Sequence, residues 1–153
     1  MTDPTVLHTA AQSILTALEA GALDTAWEPQ GCVTFGEPAY DCDSIYVWVE
    51  SLDAETEAQC HIATRVTFRY ALGICIGGER EEDCTFWETE TPTASDKVWA
   101  TWVGLVDAWV TGTLCAVPCT DIRAGSPLQI LTNDGGVAVW SGTVTVTLSP
   151  VNL

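Results

Sequence analysis

The chain has 153 residues, and 21 acidic residues against five basic ones give it a formal net charge of -16. That length suits one domain with a core sufficient for folding without metals or disulfides, and 47% hydrophobic residues with seven tryptophans exclude an intrinsically disordered polymer. The charge excludes sequence-independent nucleic-acid binding, which depends on Lys and Arg displacing counterions, and it argues equally against anionic membranes.

No apolar run approaches the roughly 18 residues of a membrane span. The N-terminus, MTDPTVLHTAAQSIL, shows neither the basic leader nor the cleavage signature of a secretory signal, which predicts synthesis in a cytoplasm. Seven cysteines is a high number for that compartment. An odd count cannot all pair within one chain, and thiols made in a reducing cell stay reduced.

In chain order, DPTVLHTAAQSILTALEAG predicts a helix, with Asp3 as cap, Pro4 at the first helical position and Gly21 at the exit. Val6, Ala10, Ile14 and Leu18 recur every four residues, with Leu7, Ala11 and Leu15 beside them, a broad stripe suited to a sheet. CVTF predicts a short strand, GEPAYD a turn, and SIYVWVE a strand, followed by an acidic loop, DAETEAQ. CHIATRVTFRYALGICI alternates cleanly. Ile62, Thr64, Val66, Phe68, Tyr70, Leu72, Ile74 and Ile76 fall on one side, and His61, Ala63, Arg65, Thr67, Arg69 and Ala71 on the other. Such a strand belongs to an antiparallel sheet with one face buried and one open.

A charged loop or arm is expected over residues 77–94. A second helix follows, capped by Thr93 or Ser95, with Asp96 in its first turn and Gly112 at its end. Its stripe of Val98, Trp99, Trp102, Val103, Val106, Trp109 and Val110 is expected to face the core. CAVPC predicts a turn. SPLQILT and VAVWSGTVTVTL predict two strands joined by a tight turn at 133–136. The expected fold is one α+β domain spanning 1–153, in the order α-β-β-β-α-β-β. Two helices pack on one face of an antiparallel or mixed sheet.

Catalytic signatures are missing. There is no Gly-rich phosphate loop, zinc-protease helix or Gly-x-Ser-x-Gly elbow, and nothing selects a Cys–His pair around His8 or His61. No metal or cofactor is expected: Cys115 and Cys119 with the Cys60-His61 doublet do not make two matched zinc pairs. The carboxylates of Glu79, Glu81, Glu82 and Asp83 lack the spacing of a calcium loop. Cys32–Cys42 and Cys115–Cys119 each flank a turn and are candidate disulfides, with buried free thiols as the alternative.

Several features coincide: CVTFGEPAYDC leading into a strand, the long strand opening with Cys60, the helix carrying DKVWATWVGLVDAW, and the closing GGVAVWSGTVTVTL. Together they resemble the small neck and tail-terminator proteins of long-tailed bacteriophages, particularly those infecting actinobacteria. The resemblance implies a virion structural protein, made in the host cytoplasm, without catalysis or cofactor. It implies a homo-oligomeric ring, hexameric in this family, at the head-proximal end of the tail, between the major tail tube protein and a head-closure or adaptor protein. DNA would pass through an acidic lumen unbound. Arg65, Arg69 and Arg123 become candidates for pairing with a neighbour's Asp or Glu, with pairing inside the chain as the alternative. Other readings are a head-closure (stopper) protein, a non-viral acidic binding module and a small cysteine-dependent enzyme.

Overall fold

A computed structural model describes residues 5–58, 61–75, 94–117, 119–132 and 136–148. The elements are α1 (Val6–Leu23), β1 (Gln30–Val33), β2 (Ser44–Ala58), β3 (His61–Cys75), α2 (Ala94–Thr111), β4 (Cys119–Ala124), β5 (Leu128–Thr132) and β6 (Val137–Leu148). The fold is α+β, and the described residues form a mixed six-stranded sheet and two helices. β1 runs parallel to β2, and every other pairing is antiparallel. The strand order is β1-β2-β3-β6-β4, with β5 also on β6. β6 pairs with β3 along the whole length of β6, so β4 and β5 follow one another along its other side.

Alternation along β3 selects the buried side. Val66, Phe68, Tyr70, Leu72 and Ile74 all lie within 1% of full burial, and register aligns them with Val144 and Val146 on β6 and with Ile45 and Val47 on β2. Ile14, Leu15 and Leu18 of α1 and Leu105 of α2 close this core from the helical side. Burying such side chains contributes roughly 1.5–3 kcal/mol each.

The other face is not simply open. Tyr46, Trp48, Ala71, Val137 and Val139 form a second buried cluster there, with Tyr40 packed against it. The rings of Tyr40 and Tyr46 meet edge-on at 5.9 Å, and the Asp41 backbone N–H donates to the Tyr46 hydroxyl at 2.9 Å. The stretch around Gly36 is thus a sheet corner folded back over one end of this face.

Several expectations change. Asp3 and Pro4 lie outside the described residues. α1 begins after Thr5 and continues past Gly21 to Leu23, because Gly21 is needed within the helix. A Cβ on Gly104 of α2 would lie 2.6 Å from the Ala17 carbonyl oxygen and 2.7 Å from the Gly21 Cα, so the two helices cross with backbone almost touching backbone. β2 does not end at Glu50 in an acidic loop. It continues to Ala58, paired with β3 throughout, and an irregularity between Val49 and Ser51 shifts its alternation. The chain has one strand more than the five expected: the segment after CAVPC is β4, where Ile122 and Ala124 face the helices and Asp121 and Arg123 the other way. Of the expected charged arm, residues 77–93 lie outside the described residues, and Ala94 opens α2. Thr93 is also outside them, Ser95 sits within the first turn, and residues 133–135 of the predicted tight turn fall outside too.

The largest change concerns α2. The face it buries carries Ala94, Lys97, Ala100, Thr101, Leu105 and Ala108. Of the tryptophan and valine stripe, Val98 and Trp102 at its edge pack partly against the core, while Trp99, Val103, Trp109 and Val110 point outward. A seam of small residues is what allows the Gly21–Gly104 approach, and bulky side chains on that face would hold the helices apart.

Candidate assembly surface

Large apolar side chains stand exposed on α2 and on β5. On α2, Trp99 is 66% exposed, Val110 81%, and Val103 and Trp109 about two-fifths. On β5, Leu128 and Ile130 are more than half exposed, and register places Leu128, beside Ser141, on the face of the sheet away from the helices. On the helical face, a groove of about 370 Å³ is lined by Val98, Trp99, Trp102, Pro127 and Trp140. So many large side chains exposed on one helix mark an interaction surface.

The turn that carries Pro127 is anchored to the core. Gly125 joins β4 to the turn before β5, and it is fixed on both sides. Its N–H donates to the Thr143 carbonyl at 2.7 Å, and its own carbonyl accepts from the buried Tyr70 hydroxyl at 2.6 Å. Gly142 lies directly beneath that phenol, where a Cβ would collide with the ring oxygen. Burial holds the Tyr70 hydroxyl protonated well above the ordinary tyrosine range.

The three arginines proposed for the interface share the opposite face of the sheet. Arg65 aligns with Asp53 and Thr147, Arg69 with Trp48 and Thr143, and Arg123 with Thr145. Arg69 and Arg123 make side-chain pairs within the chain. Arg69 holds Glu50 through two N–H donors, at 3.0 and 3.2 Å, and donates to Ser141 Oγ at 3.1 Å. Arg123 donates to Asp121 at 3.1 Å in an exposed pair.

The cysteines depart from the expected pairs. Cys42 is joined to Cys75, not to Cys32, which is an exposed free thiol. Register explains the partner: Ser44 faces Gly73, so two residues further out Cys42 faces Cys75, with Cα atoms 4.9 Å apart. Cys115 and Cys119 are free and half-buried. Burial, reinforced by the neighbouring Cys119, pushes the Cys115 thiol up to about 11, so it is protonated and poorly nucleophilic near neutrality.

Beside the disulfide lies a polar junction that sequence reasoning missed. Trp27 Nε1 donates to Asp43 Oδ1 at 2.9 Å, Lys97 Nζ lies 4.0 Å from the same oxygen, and the ammonium sits 5.6 Å from the Trp27 ring centroid. Lys97 is only 8% exposed. Opposite charge and a ring face together make that burial tolerable.

The groove between α1 and α2 is larger, but its chemistry does not converge. Ser13 and Thr16 turn their hydroxyls back onto the carbonyls of Thr9 and Gln12. His8 is exposed on its rim. Among the described residues no group of three or more His, Cys, Asp or Glu could hold a metal, and no helix is long and apolar enough to cross a membrane. The side chains of Cys60 and His61 lie outside what is described.

No family model matches the chain, and no curated protein matches it in sequence.

Proposed function

We propose that this chain is a self-assembling structural subunit of a bacteriophage virion, a tail terminator that forms a ring at the head-proximal end of the tail and joins tail to head. The outward apolar stripe of α2 carries the proposal. Trp99, Val103, Trp109 and Val110 stand in water on a helix that had Ala and Thr available for that position, an arrangement that makes sense when another surface covers them. The net charge of -16 fits a lumen through which DNA moves without being held. The role needs shape and association, and no catalysis. A head-closure subunit would use the same physics.

Native mass spectrometry of the purified full chain, with negative-stain imaging, tests the proposal. A closed ring of about six copies is the expected species in this family. A monomer persisting at high protein concentration would remove the ring and leave an acidic binding module in its place.

A further inference from the structure

We infer that the ring neighbour is received by sheet extension: the outer margin of β2 in one copy adds to the β4–β5 margin of the next, and Leu52 enters the groove beneath Trp99. This rests on the ring reading above and says which surfaces meet.

The two margins of the sheet are unlike, and each is incomplete. On one side, β1 covers only Ser44–Val47, so among the described residues the edge of β2 away from β3 has no strand along it from 48 to 58. On the other, among the described residues, β4 and β5 are paired in the sheet only with β6. Unpaired strand margins offer rows of N–H and C=O groups that a further strand can satisfy.

Charge selects which margins meet. β2 beyond Val47 carries Glu50, Asp53, Glu55 and Glu57 and no basic residue, so two β2 margins placed together would oppose like charges. The β4–β5 segment, 119–132, has one acidic and one basic residue, Asp121 and Arg123, paired with each other, so it carries no net charge. An acidic margin is therefore tolerated there and refused by its own kind. Pairing of unlike margins is a head-to-tail contact, the type that closes into rings.

Shape agrees with charge. Leu52 aligns with Val66, which places it on the helical face of the sheet, yet α1 and α2 do not cover it and it is 55% exposed. The groove lined by Val98, Trp99, Trp102, Pro127 and Trp140 opens on that same face, beside the β4–β5 break. A neighbour's β2 laid along this margin brings its Leu52 to the socket.

The test uses Leu52→Asp to block the donor margin and Leu128→Asp/Ile130→Asp to block the acceptor margin, all at exposed positions. Each variant alone is expected to stay monomeric by native mass spectrometry with wild-type circular dichroism. A 1:1 mixture is expected to give a heterodimer and nothing larger, since one intact donor and one intact acceptor remain. If the β5 variant melts early, Trp99→Glu blocks the acceptor without touching the strand. Wild-type rings together with blocked variants that still assemble would overturn this contact while leaving the ring intact. So would a mixture that stays monomeric, or a wild-type dimer indifferent to Leu52→Asp, which would indicate like-with-like β5 pairing. A monomeric wild type would overturn both.

Discussion

Tyr70 shows how one side chain links core to surface. Its ring is part of the central layer, and its hydroxyl holds the Gly125 carbonyl that shapes the turn between β4 and β5. Tyr70→Phe keeps the ring and removes the donor. It is expected to cost about 1 kcal/mol, read as a lower denaturant midpoint at unchanged slope. No change would mean that water satisfies the carbonyl equally well. The corner at Cys42 and Asp43 works similarly, tying the end of β3 covalently and the start of α2 through Lys97. Because the bridged residues are 33 apart in sequence, the chain-entropy model gives the disulfide about 3–4 kcal/mol. Cys42→Ser/Cys75→Ser, or the wild type under reductant, should melt roughly 10 °C lower. Equal melting temperatures with and without reductant would show that the bond adds little to the folded state.

At the level of elements, α2 is where sequence periodicity misled. The helix carries two apolar stripes, one of Trp and Val and one of Ala, Thr and Leu, and transfer energies alone favour burying the first. What decided the outcome is non-local: Gly21 and Gly104 lie 83 residues apart in the chain and meet only once both helices exist. Gly104→Ala provides the check. In an isolated helix the change gains up to about 1 kcal/mol, whereas here the new methyl meets the α1 backbone and should cost about 1–3 kcal/mol. A rise in melting temperature would mean the crossing is looser than its geometry. α1, β3 and most of β6 were legible because their alternation or four-residue spacing runs uninterrupted. β4 was not: it is a short margin strand in which Ile122 is the one large apolar residue. The far half of β2 was hidden by the irregularity at Glu50 and by acidic residues that read as a loop.

For the molecule as a whole, composition argues against phosphate-rich and anionic-membrane partners, but it could not locate a surface. Arg65 and Arg69 were readable as outward-facing; Arg123 joins their face only through β4, a strand the sequence did not display. That Arg69 clasps Glu50 depends on a strand register no single sequence displays. The disulfide was illegible for the same reason, since Cys75 becomes opposite Cys42 only after β2 and β3 align. Leu128 and Ile130 were plain strand residues, and Leu52 lay past the end of its predicted strand, until the register of the sheet was known.

The close crossing of α1 and α2 has a further consequence. A helix has only one inward side, and here mostly small residues have taken it, so in the proposed assembly Trp99 and Trp109 find their cover in company beyond their own chain. Kept solitary at high concentration, such a subunit would be prone to stick to whatever it meets, which makes prompt partnership part of its solubility.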